Sequence, residues 1–147
     1  MAITIHCLTV ETADLLAKVA ADVFDREITP DRLGAFLAAP GHVMFVAVDD
    51  QEVVGQIRGM VHLQPDRASD LYIDNLGVAP SHKRRGIATM LIAALIAWAK
   101  AQGCISVWLA TETDNDEAIG LYGKLQFERK TSELFEAPIG DGIGRRG

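Results

Sequence analysis

Apolar and polar positions alternate in blocks along this chain. Ile3 to Leu8 is short, β-branched and alternating, which predicts a first strand. Leu15, Leu16, Val19, Ala20, Val23 and Phe24 recur at helical spacing and predict a first helix. Thr29-Pro30 reads as a helix start, with Leu33, Phe36 and Leu37 as the apolar face and Pro40-Gly41 as the stop. His42 to Val48 predicts a central strand. After the polar turn Asp49-Asp50-Gln51-Glu52, Val53 to Leu63 alternates, with Ile57, Val61 and Leu63 opposite Gln56, Arg58, Met60 and His62. These two strands should form an antiparallel hairpin.

Leu71 to Val78 predicts a fourth strand. A helix from near Gly86 to Gly103 follows, then a strand over Ile105 to Ala110 and a last helix over Glu117 to Leu125. Asp114 is the expected cap of that last helix, with Glu117 completing a capping box. Phe127 to Phe135 is expected to close the sheet. The order β-α-α-β-β-β-α-β-α-β implies a mixed sheet with helices on both faces, and Leu71 to Ala110 forms a right-handed crossover unit.

The 147 residues suit one domain, over 1–137, with a glycine-rich tail over 138–147. Lys and Arg number 14 against 20 Asp and Glu, a formal charge of −6. That argues against general nucleic-acid binding and permits a cationic substrate. Two cysteines without C-x-x-C spacing and no signal-peptide order point to a reducing cytoplasm. The apolar run Ile87 to Ala99, broken only by Thr89, is 13 residues long, too short to span a bilayer. The four histidines are scattered and form no metal motif.

The stretch that carries chemistry is Leu76-Gly77-Val78-Ala79-Pro80-Ser81-His82-Lys83-Arg84-Arg85-Gly86-Ile87-Ala88. A strand passes through a basic turn into a helix. The first-turn amides of a helix are unpaired and make an anion site, and Gly86 and Ala88 let a phosphate approach. A solvated basic helix start is the competing reading. Glu112, Asp114, Asp116 and Glu117 put four acids into six residues, either to attract a polycation or simply to favour a helix N-terminus.

Lys83 to Ala88 resembles the Q/R-x-x-G-x-G/A signature of the GNAT acetyltransferases. Asn115, Ala118, Leu121-Tyr122 and Phe127 match that family's N-x-x-A…L-Y-x-x-x-G-F segment, and the element order agrees over nearly the whole chain. Lys83 stands where Arg or Gln is usual, and Gln126 replaces the usual Gly before Phe127. A slightly altered backbone is expected there. The resemblance implies an α/β fold with a mixed sheet of six to seven strands and about four helices. It implies acetyl-CoA as cosubstrate, with its pyrophosphate on the turn (Lys83, Arg84, Arg85, Gly86, Ile87, Ala88, Thr89) and its pantetheine arm along Leu76, Gly77 and Val78. Asn115, Ala118 and Tyr122 join the cofactor side. A homodimer through sheet edges or last strands is compatible with it.

Within the family the chain is similar to the aminoglycoside 3-N-acetyltransferases at Val53-Val54-Gly55, Leu71-Tyr72-Ile73, Lys83 through Ala88 and Ala118 through Tyr122. The implied reaction moves acetyl to a primary amine, with a peptide N-terminus, a lysine or another small amine as alternative acceptors. An acyl-CoA sensor without turnover is the alternative of another class. A lysine-like amine is neutral in only about one molecule in 10³ at pH 7, so transfer needs a proton acceptor. Asp74 is the candidate base, expected on one strand face with Tyr72, Leu76 and Val78. Asn75 stands where the similar enzymes carry Asp and could orient a water. Glu112, Asp114 and Asp116 are candidate acceptor-binding acids, and the resemblance makes Tyr122 the proton donor to the leaving thiolate. His62 and His82 are weaker candidate bases, with surface or supporting roles as the alternative. Trp98 and Trp108 read as core, and Cys104 as a buried structural thiol.

Overall fold

A computed structural model describes residues 2–140. The chain divides into two compact units that meet between Leu109 and Ala110. The first holds β1 (Thr4–Cys7), α1 (Pro30–Ala38), β2 (His42–Asp49), β3 (Glu52–His62), β4 (Asp70–Val78), α2 (Ile87–Ala101) and β5 (Ser106–Trp108). The second holds α3 (Asp116–Lys124) and the segment after it. The expected tail falls largely on 141–147, outside the described residues.

The five strands run in the order β1-β2-β3-β4-β5. The first three pairings are antiparallel, and β4 pairs β5 in parallel. At the β2–β3 turn Asp50 and Gln51 both have positive φ, the pattern of a two-residue type I′ hairpin. The mixed sheet with helices on both faces is therefore as expected. Among the described residues its strand count is five rather than six to seven, with three α-helices rather than four.

Two expected elements are replaced. The helix over Leu15 to Phe24 is only a 3-10 turn over Ala13–Ala17. The backbone then extends: Ala20 N–H donates to the Val53 carbonyl at 2.9 Å, and Val53 N–H to the Lys18 carbonyl at 2.9 Å. Asp22 takes φ 64, which no continuing helix allows. The apolar spacing in this strap, residues 18–28, serves tertiary contacts instead, with Val23 buried. The strand expected over Phe127 to Phe135 does not form. Its interior, Glu-Arg-Lys-Thr-Ser-Glu at 128–133, offers no apolar face, and Phe135 is 92% exposed.

Two packing expectations also change. α2 does bury Ile87, Leu91, Ile92, Leu95 and Ala99, roughly 1.5–3 kcal/mol for each large side chain. Trp98, however, is only half-buried and Trp108 is 48% exposed. Trp108 stacks on Tyr72 at 4.4 Å and donates its indole N–H to Asp70 at 3.2 Å. Thr29 caps α1 as expected, accepting from Arg32 N–H at 3.4 Å.

In the second unit, Asn115 rather than Asp114 caps α3, its Oδ1 accepting from Ala118 N–H at 3.1 Å. An N-cap oxygen reaches the amide three residues on, so the cap must sit immediately before the first helical residue, Asp116. α3 ends in a Schellman motif: Phe127 N–H donates to the Tyr122 carbonyl at 2.9 Å and Gln126 N–H to the Gly123 carbonyl at 3.0 Å. Gln126 takes φ 65, so the backbone keeps the left-handed turn that glycine normally makes there. The expected alteration is absent, and the side chain bears the steric cost. Gln126→Gly should raise unfolding free energy by up to about 1 kcal/mol in a urea titration, with unchanged slope.

Candidate active site

β4 holds the first part of the site, and its geometry turns on one extra residue. Ile73 pairs Gly59 and Asn75 pairs Arg58, so Asp74 is a β-bulge with no partner of its own. Gly55 and Gly59 face α2, as their nearest neighbours Ile87, Leu91 and Leu95 show. Ile73, Leu76 and Val78, opposite Gly59, Ile57 and Gly55, therefore also face α2. Tyr72, Asn75 and Gly77 share the opposite face with Met60, Arg58 and Gln56. Asp74 joins them, because its carboxylate meets Arg58. The expected grouping of Asp74 with Leu76 and Val78 is thus corrected: the bulge puts Asp74 and Asn75 on one face and leaves those two on the other.

Three contacts organise that face. Asp74 accepts from Arg58 Nε at 2.6 Å, with both side chains part-exposed. They line a cavity of about 210 Å³ with Phe36, His42, Met60 and Tyr72. Gln56 is fully buried and its Nε2 donates to the Val23 carbonyl at 3.2 Å and to Asn75 Oδ1 at 2.6 Å. Asn75 Nδ2 in turn donates to Asp25 Oδ2 at 3.1 Å. Gln56 Oε1 has no partner among the described residues. A Cβ at Gly77 would collide with the Val23 carbonyl oxygen, so this position admits only glycine where the strap crosses β4.

The strap also walls a cavity of about 740 Å³. Asp14, Asp22, Asp25 and Glu27 line it against one cation, Arg26, with Leu16, Phe24 and Leu33 as apolar wall. Gln56 and Arg58 were expected only as polar positions of a strand and Asp25 not at all, so none of the three was among the expected site residues. Gln56 carried a signal, as the polar residue inside the apolar run Val53 to Ile57. Asp25 carried none.

On its other edge β4 is open. β5 follows it only from Asp70↔Ser106 to Tyr72↔Trp108, and Ile73 through Val78 have ladder partners on β3 alone among the described residues. The pairing stops beside the bulge, where a strand bends and twists more strongly. Leu76, Gly77 and Val78 lie in this open stretch.

The turn after β4 leaves backbone amides at a helix start without a side-chain cap. Arg84 has φ 64 and Gly86, the N-cap of α2, has φ 76. Glycine brings no capping side chain, so the first-turn amides at Ile87, Ala88 and Thr89 keep their donors. Lys83, Arg84, Arg85 and Gly86 are exposed around them. The turn is pinned from behind: His82 Nε2 meets Asp49 Oδ2 at 2.7 Å, and Ser81 Oγ meets His82 Nδ1 at 2.7 Å. That engagement gives His82 a supporting place. His62 is exposed and lies 3.6 Å from Asp70.

In the second unit, Tyr122 is 9% exposed and its ring packs against Phe127 with centroids 5.1 Å apart. Burial pushes its hydroxyl up to about 12. Asn115 spends its side chain locally, on Ala118 N–H and on Thr111 Oγ1 at 3.0 Å. Glu112, Asp114 and Asp116 are exposed. Burial, and then the charge of Asp70, push the Cys104 thiol up, and burial does the same to Cys7, so both disfavour the reactive thiolate. No described helix is long and apolar enough to cross a membrane.

With this geometry in hand, the sequence matches the Acetyltransferase (GNAT) family over residues 11–127. An acetyltransferase of Pectobacterium atrosepticum is 38% identical over 86 residues, which cover 58% of this chain and 57% of that protein. Human N-acetyltransferase 8B is 30% identical over 115 residues, covering 78% of this chain and 50% of that protein. The chain thus spans about half the length of these curated relatives. Among solved structures, an aminoglycoside acetyltransferase from an uncultured soil metagenomic sample is 25% identical, with a TM-score of 0.84 over 95% of this chain and 100% of that one. The aminoglycoside N-acetyltransferase AAC(6')-Iy in complex with CoA is 19% identical, with a TM-score of 0.78 over 93% and 95% of the two chains, a likeness of fold.

The raised Tyr122 group links pH to stability. The folded state holds its proton to about pH 12, whereas an unfolded tyrosine loses it near pH 10. Its contribution is complete below pH 10 and is lost as pH climbs towards 12, about 3 kcal/mol at most. Chemical denaturation between pH 9 and 12 should show this decline in the parent protein and a shallower one in Tyr122→Phe.

Proposed function

The chain belongs to the GNAT acetyltransferase family, and from that premise we propose that it moves an acetyl group from acetyl-CoA directly to a primary amine of a small polycationic acceptor, aminoglycoside-like or a polyamine. The observation that carries the reading is the parting of β4 from β5 beside a glycine-capped helix start. The backbone edge of Leu76, Gly77 and Val78 suits the amides of a pantetheine arm, which would extend the ladder where β5 leaves it. The amides at Ile87, Ala88 and Thr89, with Lys83, Arg84 and Arg85 around them, suit its diphosphate.

Tyr122 serves the leaving group. A hydroxyl held near 12 stays protonated at neutral pH and can donate to the departing thiolate. Ala118 and Asn115 order the first turn of the helix that carries it. The acceptor side is the opposite face of β4, where Asp74 and Asn75 stand together. The carboxylates around the larger cavity support a cationic acceptor, as do the names of the structural neighbours. Glu112, Asp114 and Asp116 add negative charge in the second unit. The reaction needs no covalent enzyme intermediate, which agrees with two unactivated thiols.

Thiol release from acetyl-CoA tests the reading against gentamicin, spermine, free lysine and short peptides. Turnover with gentamicin or spermine is expected. Turnover only with lysine or peptides keeps the transferase and replaces the acceptor class. Silence with all of them, while acetyl-CoA still raises the melting temperature, leaves a sensor or an acceptor outside this panel. Tyr122→Phe should lower kcat by about 10- to 10³-fold and leave that acetyl-CoA-induced shift in place.

A further inference from the structure

We propose that Asp25 is the group that takes the proton from the acceptor amine, with Asn75 as its positioning residue. The inference rests on the acetyl-transfer reading above and names a residue for it.

The argument starts from the buried amide. Both hydrogens of Gln56 Nε2 are used, one on the Val23 carbonyl and one on Asn75 Oδ1. That fixes the orientation of the Asn75 amide: its oxygen faces Gln56, so its nitrogen faces outward. Asn75 therefore presents a donor to Asp25 Oδ2 at 3.1 Å, and a carboxylate oxygen accepts there. Asn75 is a neutral donor, so it orders the carboxylate without cancelling its charge. Asp25 Oδ1 has no protein partner among the described residues. The carboxylate lines the 740 Å³ cavity, and its tether, Asn75, sits in the stretch of β4 that β5 leaves open.

Asp74 is placed differently. Its carboxylate already holds a guanidinium at 2.6 Å, so an incoming ammonium would compete with a tethered cation. Of the other acids on the larger cavity, Asp14, Asp22 and Glu27 have no hydrogen bond to β4. Asp25 alone among them is tied to the strand that bears the open edge.

The step balances simply. An acceptor ammonium gives one proton to Asp25, and the freed nitrogen lone pair forms the new C–N bond to the acetyl carbon. The C–S bond breaks and its electron pair stays on sulfur. The second proton lost by nitrogen balances the one the sulfur acquires. The net reaction turns ammonium and thioester into acetamide, thiol and one proton released to solvent through Asp25.

The test uses the full chain, with thiol release from acetyl-CoA and either spermine or gentamicin as acceptor. Asp25→Asn should lower kcat/KM by about 10²-fold or more, and Asp74→Asn by less than about tenfold. Asp25→Ala should regain at least about tenfold in 0.1 M formate, a rescue that lost packing would not give. Asn75→Ala should cost activity in the parent but little more in an Asp25→Asn background, because it acts through that carboxylate. Asp25 is exposed, so its variants should keep the parent melting temperature. Parent turnover with Asp25→Asn within about threefold of it, or no formate rescue, overturns the inference and leaves the transferase standing. A parent that releases no thiol with either acceptor overturns the inference together with the polycationic-acceptor reading it rests on, and the acetyl-CoA-induced melting shift then tells a binder from a protein that never met the cosubstrate.

Discussion

The site depends on one backbone approach, the Val23 carbonyl lying against Gly77. No side chain fits between them, and a carbonyl pressed onto a sheet needs a donor once water is excluded. Gln56 supplies it from inside the strand. The pair fixes the strap over residues 18–28, which in turn walls the larger cavity and carries Asp25. A polar side chain in a buried strand normally costs stability. Here it substitutes for the helical hydrogen bonds that the strap gave up, and its second hydrogen reaches Asn75 on β4.

The bulge at Asp74 is the second organising feature. It brings two neighbouring residues onto one face and marks where β4 and β5 separate. The separation leaves backbone groups of an interior strand free to pair with an extended ligand. The turn that follows ends on a helix whose glycine cap leaves its first-turn amides without a side-chain partner. His82 and Asp49 latch that turn to the end of β2, so the helix start is held by the sheet it grows from.

Much of this was legible in the sequence. The apolar run from His42 to Val48 and the alternation from Val53 to Leu63 gave the central hairpin, and Leu76 through Ala88 gave the strand, basic turn and helix that carry the cosubstrate reading. The match over residues 11–127 agrees with that segment. What was not legible came from partners distant in sequence. Leu15 to Phe24 has helical spacing, but its backbone bonds go to Val53 and its Val23 carbonyl to Gln56. Asp25 looks like one more solvated acid until Asn75, fifty residues on, reaches it. Face assignment beyond Ile73 failed because a bulge adds a residue that alternation cannot see. Gln126 is a local case: its departure from the family's usual glycine implied a changed backbone, but the two Schellman hydrogen bonds and the Tyr122–Phe127 contact hold the left-handed turn.

That added residue also sets where the chain can change length. On either side of Asp74 the faces of β4 are in phase with β3, because two residues there oppose the single Arg58. Removing one residue at this point would leave a regular ladder, with Leu76 and Val78 still on α2 and Gly77 still beneath Val23. Removing one anywhere else between Ile73 and Val78, without using up the bulge, would invert every position beyond it. The acidic bulge is therefore a graft on a strand that is already complete. Natural or designed relatives can gain or lose it in a single codon step and keep the sheet, trading only what the pocket beside Arg58 presents.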